Sequence, residues 1–141
     1  MILEISTDLL AQIHSHGETA YPEEGAGLLL GNNFPDHKQV VAILPMSNTR
    51  EASARHNRYL LDPQDYLDGE LEADRRGLDV IGVFHSHPDH PNRPSEYDRE
   101  WAIPWFSYLI TSVIGGKAIE SRCWQLMEDR SAFIEETITS S

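Results

Sequence analysis

The stretch Asp79-Val80-Ile81-Gly82-Val83-Phe84 runs directly into His85-Ser86-His87-Pro88, and it constrains the fold more than any other part of the chain. The apolar run is too short for a helix and reads as a strand. A strand sends residues i and i+2 to one face with Cα atoms about 6.5–7 Å apart, so the two imidazoles at its end can converge on one ion. The expectation is a metal site at the end of a strand.

The remaining elements follow from local signals. Residues 2–6 suit a short strand, after which Ser6 or Thr7 caps a helix with Leu9, Leu10 and Ile13 at helical spacing, ending near Gly17. Gly25–Gly31 reads as a buried strand, joined through a hairpin loop at Asn32–Asp36 to a strand at Val40–Leu44. Arg58–Leu61 is a short strand leading into Asp62-Pro63, a favourable helix start because proline's missing N–H costs nothing at the first helical position. That helix should reach Gly77, with Tyr66, Leu67 and Leu71 turned inward. Ser95-Glu96-Tyr97-Asp98 opens a short helix, and Trp101 and Trp105 are expected to pack it onto the sheet, with a place in a substrate groove as the other reading. Trp105–Ile114 and Ile119–Leu126 are strands joined through Gly115-Gly116, and Phe133–Thr139 is the last strand. The sum is an α+β fold, a single domain over residues 1–141 built around a mixed sheet.

Charge and cysteine content narrow the function classes. The net charge of −12 opposes binding to nucleic acid, and Arg75-Arg76 is the only adjacent basic pair. The single cysteine, Cys123, permits neither an intrachain disulfide nor a cysteine-built zinc site. The N-terminal residues lack a signal-peptide pattern, and no run of about 18 apolar residues occurs, so a cytoplasmic protein without a membrane partner is expected.

A catalytic zinc site needs a third ligand and an open fourth position. Asp98 fits as third ligand: it is residue N3 of a helix capped by Ser95, near the positive end of the helix dipole, which favours the ionised form. Ser95-x-x-Asp98 is also a capping box, and the two roles are compatible. The Ser95 hydroxyl can accept from the helix and still donate to an oxyanion. A carboxylate must move the proton of the attacking water. Glu23 and Glu24 beside the buried strand are the candidates, and spacing leaves both open. The other histidines, His14, His16, His37 and His56, read as surface or helix-end residues.

Rival metal motifs fail. A metallo-β-lactamase pattern can be traced over His85-x-His87-x-Asp89-His90, but no histidine follows His90 to complete it. One cysteine excludes the zinc deaminase pattern, and His-Glu-x-x-His is absent.

Glu24-Gly25-Ala26-Gly27, His85-Ser86-His87-Pro88 and Ser95-Glu96-Tyr97-Asp98, with seven residues between His87 and Ser95, strongly resemble the pattern of the JAMM/MPN+ metalloprotease family. The resemblance selects Glu24 over Glu23 as acid/base, assigns His85, His87 and Asp98 to zinc, and gives Ser95 the oxyanion role. It implies a curved mixed sheet flanked by helices, similar to the cytidine deaminase arrangement. It further implies hydrolysis of the peptide or isopeptide bond after the C-terminal glycine of a ubiquitin-like or sulfur-carrier protein, and leaves a homodimer open. The alternatives are a non-catalytic scaffold of the MPN type and a different zinc hydrolase. Ala26 departs from the cysteine that many compact members carry before the glycine, a change of packing more than of chemistry.

Overall fold

A computed structural model describes residues 1–46 and 61–141. Along the chain these form β1 (Ile2–Ile5), α1 (Thr7–Ala20), β2 (Ala26–Asn33), β3 (His37–Met46), α2 (Pro63–Arg76), β4 (Asp79–Pro88), α3 (Glu96–Trp101), β5 (Ser107–Ile114), β6 (Lys117–Leu126) and β7 (Phe133–Ser140). Of the expected strand Arg58–Leu61, residues 58–60 lie outside the described residues, as does His56; Leu61 is buried without strand structure.

The strands form one sheet in the order β1-β3-β2-β4-β5-β6-β7, and β7 pairs in parallel with β1 to close it into a barrel. The sheet is mixed: β1/β3 and β4/β5 are also parallel, while the other neighbours are antiparallel. Curvature was expected from the resemblance; closure joins the two ends of the sequence and leaves no edge between them.

Period-two alternation splits the apolar residues into two cores. Leu28, Leu30 and Val83 face Ala73 of α2 and Ala102 after α3, while Leu29, Ile81 and Phe84 face Ile13 of α1. Strand β2 is therefore buried on both sides, and each fully buried leucine contributes about 1.5–3 kcal/mol. The pairing of β2 with β4 shifts register between Leu29 and Leu30, so Ile81 is the extra residue of a bulge. Beyond that bulge Val83, His85 and His87 share one face.

The helices differ from expectation in instructive ways. Ser6 caps α1 through Leu9 N–H, but the helix passes Gly17 and ends at Ala20. Gly17 is a packing residue: a Cβ there would lie 3.2 Å from both Ser86 Cβ and Val113 Cγ2. In α2 the buried positions are Gly69 and Ala73, whereas Leu67 and Leu71 are exposed. A Cβ on Gly69 would stand 2.1 Å from Leu28 Cδ1, so the helix approaches the sheet along its smallest side chains and the leucines fall outside the contact. Trp101 and Trp105 do not pack α3 onto the sheet; they are 56% and 62% exposed. A six-residue helix can turn few positions inward, and here these are Asp98 and, just beyond the end, Ala102. Arg130 fastens this end by donating to the carbonyls of Arg99, Glu100 and Ala102.

The Gly115-Gly116 turn holds, with φ of 57° and 87° where a hairpin demands positive values. Among the described residues no helix is long and apolar enough to cross a membrane.

Candidate metal centre

Strand β4 carries His85 and His87 on one face, with ring centroids 4.9 Å apart, and both are buried. Ser86 between them points the other way, and its hydroxyl accepts from Gly25 N–H at 2.8 Å while its own N–H donates to the Gly25 carbonyl at 3.0 Å. This clamp fixes the residue after Glu24 to the strand that bears the histidines. Glu24 is accordingly buried, with Oε1 3.5 Å from His85 Nδ1, whereas Glu23 is half-buried.

Asp98 arrives from the opposite side, on the first turn of α3. Its N–H donates to Ser95 Oγ at 3.0 Å, and its Oδ2 accepts from Ser95 N–H at 2.7 Å, closing the capping box. The carboxylate is turned toward both rings, with Oδ1 3.6 Å from His85 Nε2 and Oδ2 3.2 Å from His87 Nε2. His85 thus lies between two carboxylates. His87 donates from Nδ1 to the Pro91 carbonyl at 2.8 Å, which holds the ring's orientation and turns Nε2 toward Asp98.

The electrostatics follow from this crowding. Burial pushes Asp98 upward, but the charges of His85 and His87, the His87 hydrogen bond and the Ser95 N–H outweigh it and hold the carboxyl down at about 2. Burial pulls His87 downward, and the hydrogen bond and charge of Asp98, with the charge of Glu24, more than reverse that, so its pKa is raised. A proton on His87 and a cation would compete for the same groups.

Donor atoms of Glu24, His85 and His87 all lie within 4.8 Å of one another, a buried cluster able to hold a metal ion. Asp98 is outside that group of three but faces both of its histidines, at 3.6 Å from His85 Nε2 and 3.2 Å from His87 Nε2. All of the sequence-predicted residues, Glu24, His85, His87, Ser95 and Asp98, therefore come together, and all but His85 also line a cavity of about 460 Å³. His90 lines that cavity too but lies outside the metal cluster. His14 and His16 are half-buried instead of superficial: one bonds Ser121 Oγ at 2.9 Å and the other stands edge-on to Phe84.

Sequence reasoning missed Ser86 and the Pro91 carbonyl. The period of two could have shown that Ser86 must face away from the metal; what it clamps depends on a strand about sixty residues earlier.

The family described as prokaryotic homologs of the JAB domain matches residues 6–127. A desampylase from Haloferax volcanii is 34% identical over 118 residues, covering 80% of this chain and 82% of that protein. A probable TtuB-protein conjugate cleaving protease from Thermus thermophilus is 29% identical over 121 residues, covering 84% and 75%. A protein from Salinibacter ruber with a solution structure is 43% identical and superposes over 100% of this chain and 92% of its own with a TM-score of 0.76.

Proposed function

The chain belongs to the family of prokaryotic JAB-domain proteins, and from that premise we propose that it is a zinc-dependent peptidase or isopeptidase, working as a single domain over residues 1–141 in the cytoplasm. Its substrate on this reading is the bond after the C-terminal glycine of a ubiquitin-like or sulfur-carrier protein. The Haloferax and Thermus relatives, a desampylase and a probable TtuB-protein conjugate cleaving protease, support a conjugate of that kind.

The observation that carries the proposal is the spacing of the donors. Zinc with Zn–N of about 2.0–2.1 Å and Zn–O of about 2.0–2.2 Å in tetrahedral geometry sets its ligands about 3.4 Å apart. The two Asp98 oxygens stand 3.6 Å and 3.2 Å from the Nε2 atoms of His85 and His87, on either side of that value. Those three side chains are the assigned ligands. A bound zinc supplies a water of lowered pKa and a polarised carbonyl.

The chain's residues supply the rest. On this reading Glu24 takes the proton of the attacking water and delivers it to the leaving nitrogen, a role supported by its burial beside the histidine pair, with Oε1 3.5 Å from His85 Nδ1. Ser95 Oγ, already an acceptor from Asp98 N–H, keeps its own proton to donate to the oxyanion. The Pro91 carbonyl keeps the His87 ring aligned throughout. A Gly-Gly tail suits a narrow site because it brings no side chain past these groups.

The test is cleavage of a carrier protein extended beyond its Gly-Gly end, with zinc content measured on the same sample. About one zinc per chain and cleavage abolished by a chelator support the reading. Cleavage by Glu24→Gln at the wild-type rate, with zinc still bound, would sink it.

A further inference from the structure

Arg93 lines the same cavity as Glu24, His87, Ser95 and Asp98. It is exposed, and among the described residues nothing engages its guanidinium. The other described arginines differ. Arg75 and Arg76 hold Glu72, Arg99 holds Glu96, Arg122 holds Glu120, and Arg130 donates to backbone carbonyls. In a chain with 23 acidic residues against 11 basic ones, a guanidinium left without a carboxylate beside the reaction site is set apart for an anion from outside.

The loop that presents it is fixed at every step. Asp89 accepts from Gly115 N–H at 2.8 Å and from the Tyr21 hydroxyl at 2.7 Å. The carbonyl of His90 accepts from Ser112 Oγ at 2.6 Å, that of Pro91 from His87, and that of Asn92 from Trp124 Nε1 at 3.0 Å. The Asn92 amide in turn donates to Glu120. Pro94 then restricts the backbone of Arg93 itself. A segment held this way loses little entropy when its side chain takes a ligand.

Building on the peptidase reading above, we infer that Arg93 is a specificity-determining residue that binds a carboxylate on the leaving group: the α-carboxylate of a single amino acid joined through its α-amine to the last glycine of the carrier. The chemistry excludes the acyl side. Glycine has no side chain, and the carrier's terminal carboxyl is consumed in the bond being cut, so a Gly-Gly tail brings no charge into the cavity. The α-carboxylate of a leaving amino acid, by contrast, lies two bonds from the nitrogen that Glu24 protonates. Lysine isopeptides hold their backbone four methylenes away and offer no carboxylate there. Hydrolysis adds one water across the amide, releasing the carrier's carboxylate and a free amino acid whose own carboxylate was the handle.

A carrier extended by one alanine, with its terminus either free or amidated, separates the cases. Zinc-loaded wild-type protein should show kcat/KM about tenfold or more higher for the free acid, the usual scale for a charge-assisted hydrogen bond. In Arg93→Gln the acid-to-amide ratio should fall close to one, and Arg93→Lys should keep part of the preference, retaining charge without the planar fork. The affinities of Glu24→Gln protein for the two peptides, by calorimetry, should show the same ratio and its loss when Arg93→Gln is added. Wild-type protein that handles acid and amide alike overturns the inference, and so does an Arg93→Gln that slows both by one factor. If wild-type protein cleaves neither, the peptidase reading falls, and the calorimetric ratio alone then decides Arg93.

Discussion

Helices α2 and α3 begin with the same device and put it to different ends. Asp62 and Asp65 form a capping box at α2, each accepting the other's backbone N–H at 3.0 Å, and Ser95 and Asp98 repeat it at α3. Among the described residues, the second carboxylate at α2 meets only its own helix: burial comes first among the causes that raise the pKa of Asp65, with neighbouring Asp62 and Asp68 adding to it. At α3 the same carboxylate faces two imidazoles and is held down at about 2. A capping motif is local, and its chemistry is set by what distant strands bring to it.

The most damaging change should be Asp98→Ala, which removes a proposed ligand; zinc content and cleavage should both vanish, while Asp65→Ala, the matching change in α2, keeps both. Next, Glu24→Gln should bind about one zinc per chain yet cut roughly 10²–10⁴-fold more slowly, the scale of a lost general acid/base. Ser95→Ala removes an oxyanion donor and a cap together, so kcat should fall about 10²–10³-fold. Its counterpart Asp62→Ala removes only a cap and should cost about 0.5–2 kcal/mol in denaturant unfolding without slowing catalysis. A Ser95→Ala variant that merely loses stability would erase the distinction between the two boxes.

The smallest effect is a difference in proton uptake by the metal-free protein, read from carboxyl carbon shifts during an acid titration. Asp98, depressed from its ordinary 3.8 to about 2, stabilises the fold fully above the ordinary value and loses that contribution as pH falls through about 2. Asp65 has the opposite sign: its raised pKa means the folded state binds the proton more readily, so its ionisation as pH rises works against stability. Titration of the two at one pH would contradict the electrostatic contrast.

Much of this is legible in the sequence. Ser6, Asp62-Pro63 and Ser95 announce helix starts because a cap acts within one turn, and Gly115-Gly116 announces a hairpin for the same reason. His85 and His87 share a face because a strand's period is two. What stayed hidden depends on long-range packing. The inward face of α2 follows from the fit of Gly69 against Leu28, not from where leucines occur, and the exposure of Trp101 follows from the shortness of α3. Barrel closure requires β7 to find β1 across the whole chain, and the clamp of Ser86 on Gly25 requires two strands to be in register.

The central claim is that Asp98, His85 and His87 surround one ion with Glu24 beside it. Anomalous diffraction at the zinc edge from crystals of the zinc-loaded protein tests it most directly. The account predicts a single peak within about 2.0–2.2 Å of both imidazole Nε2 atoms and an Asp98 oxygen, with Glu24 outside bonding distance. A peak bonded to Glu24 with Asp98 turned away, or no peak among these residues, would contradict it.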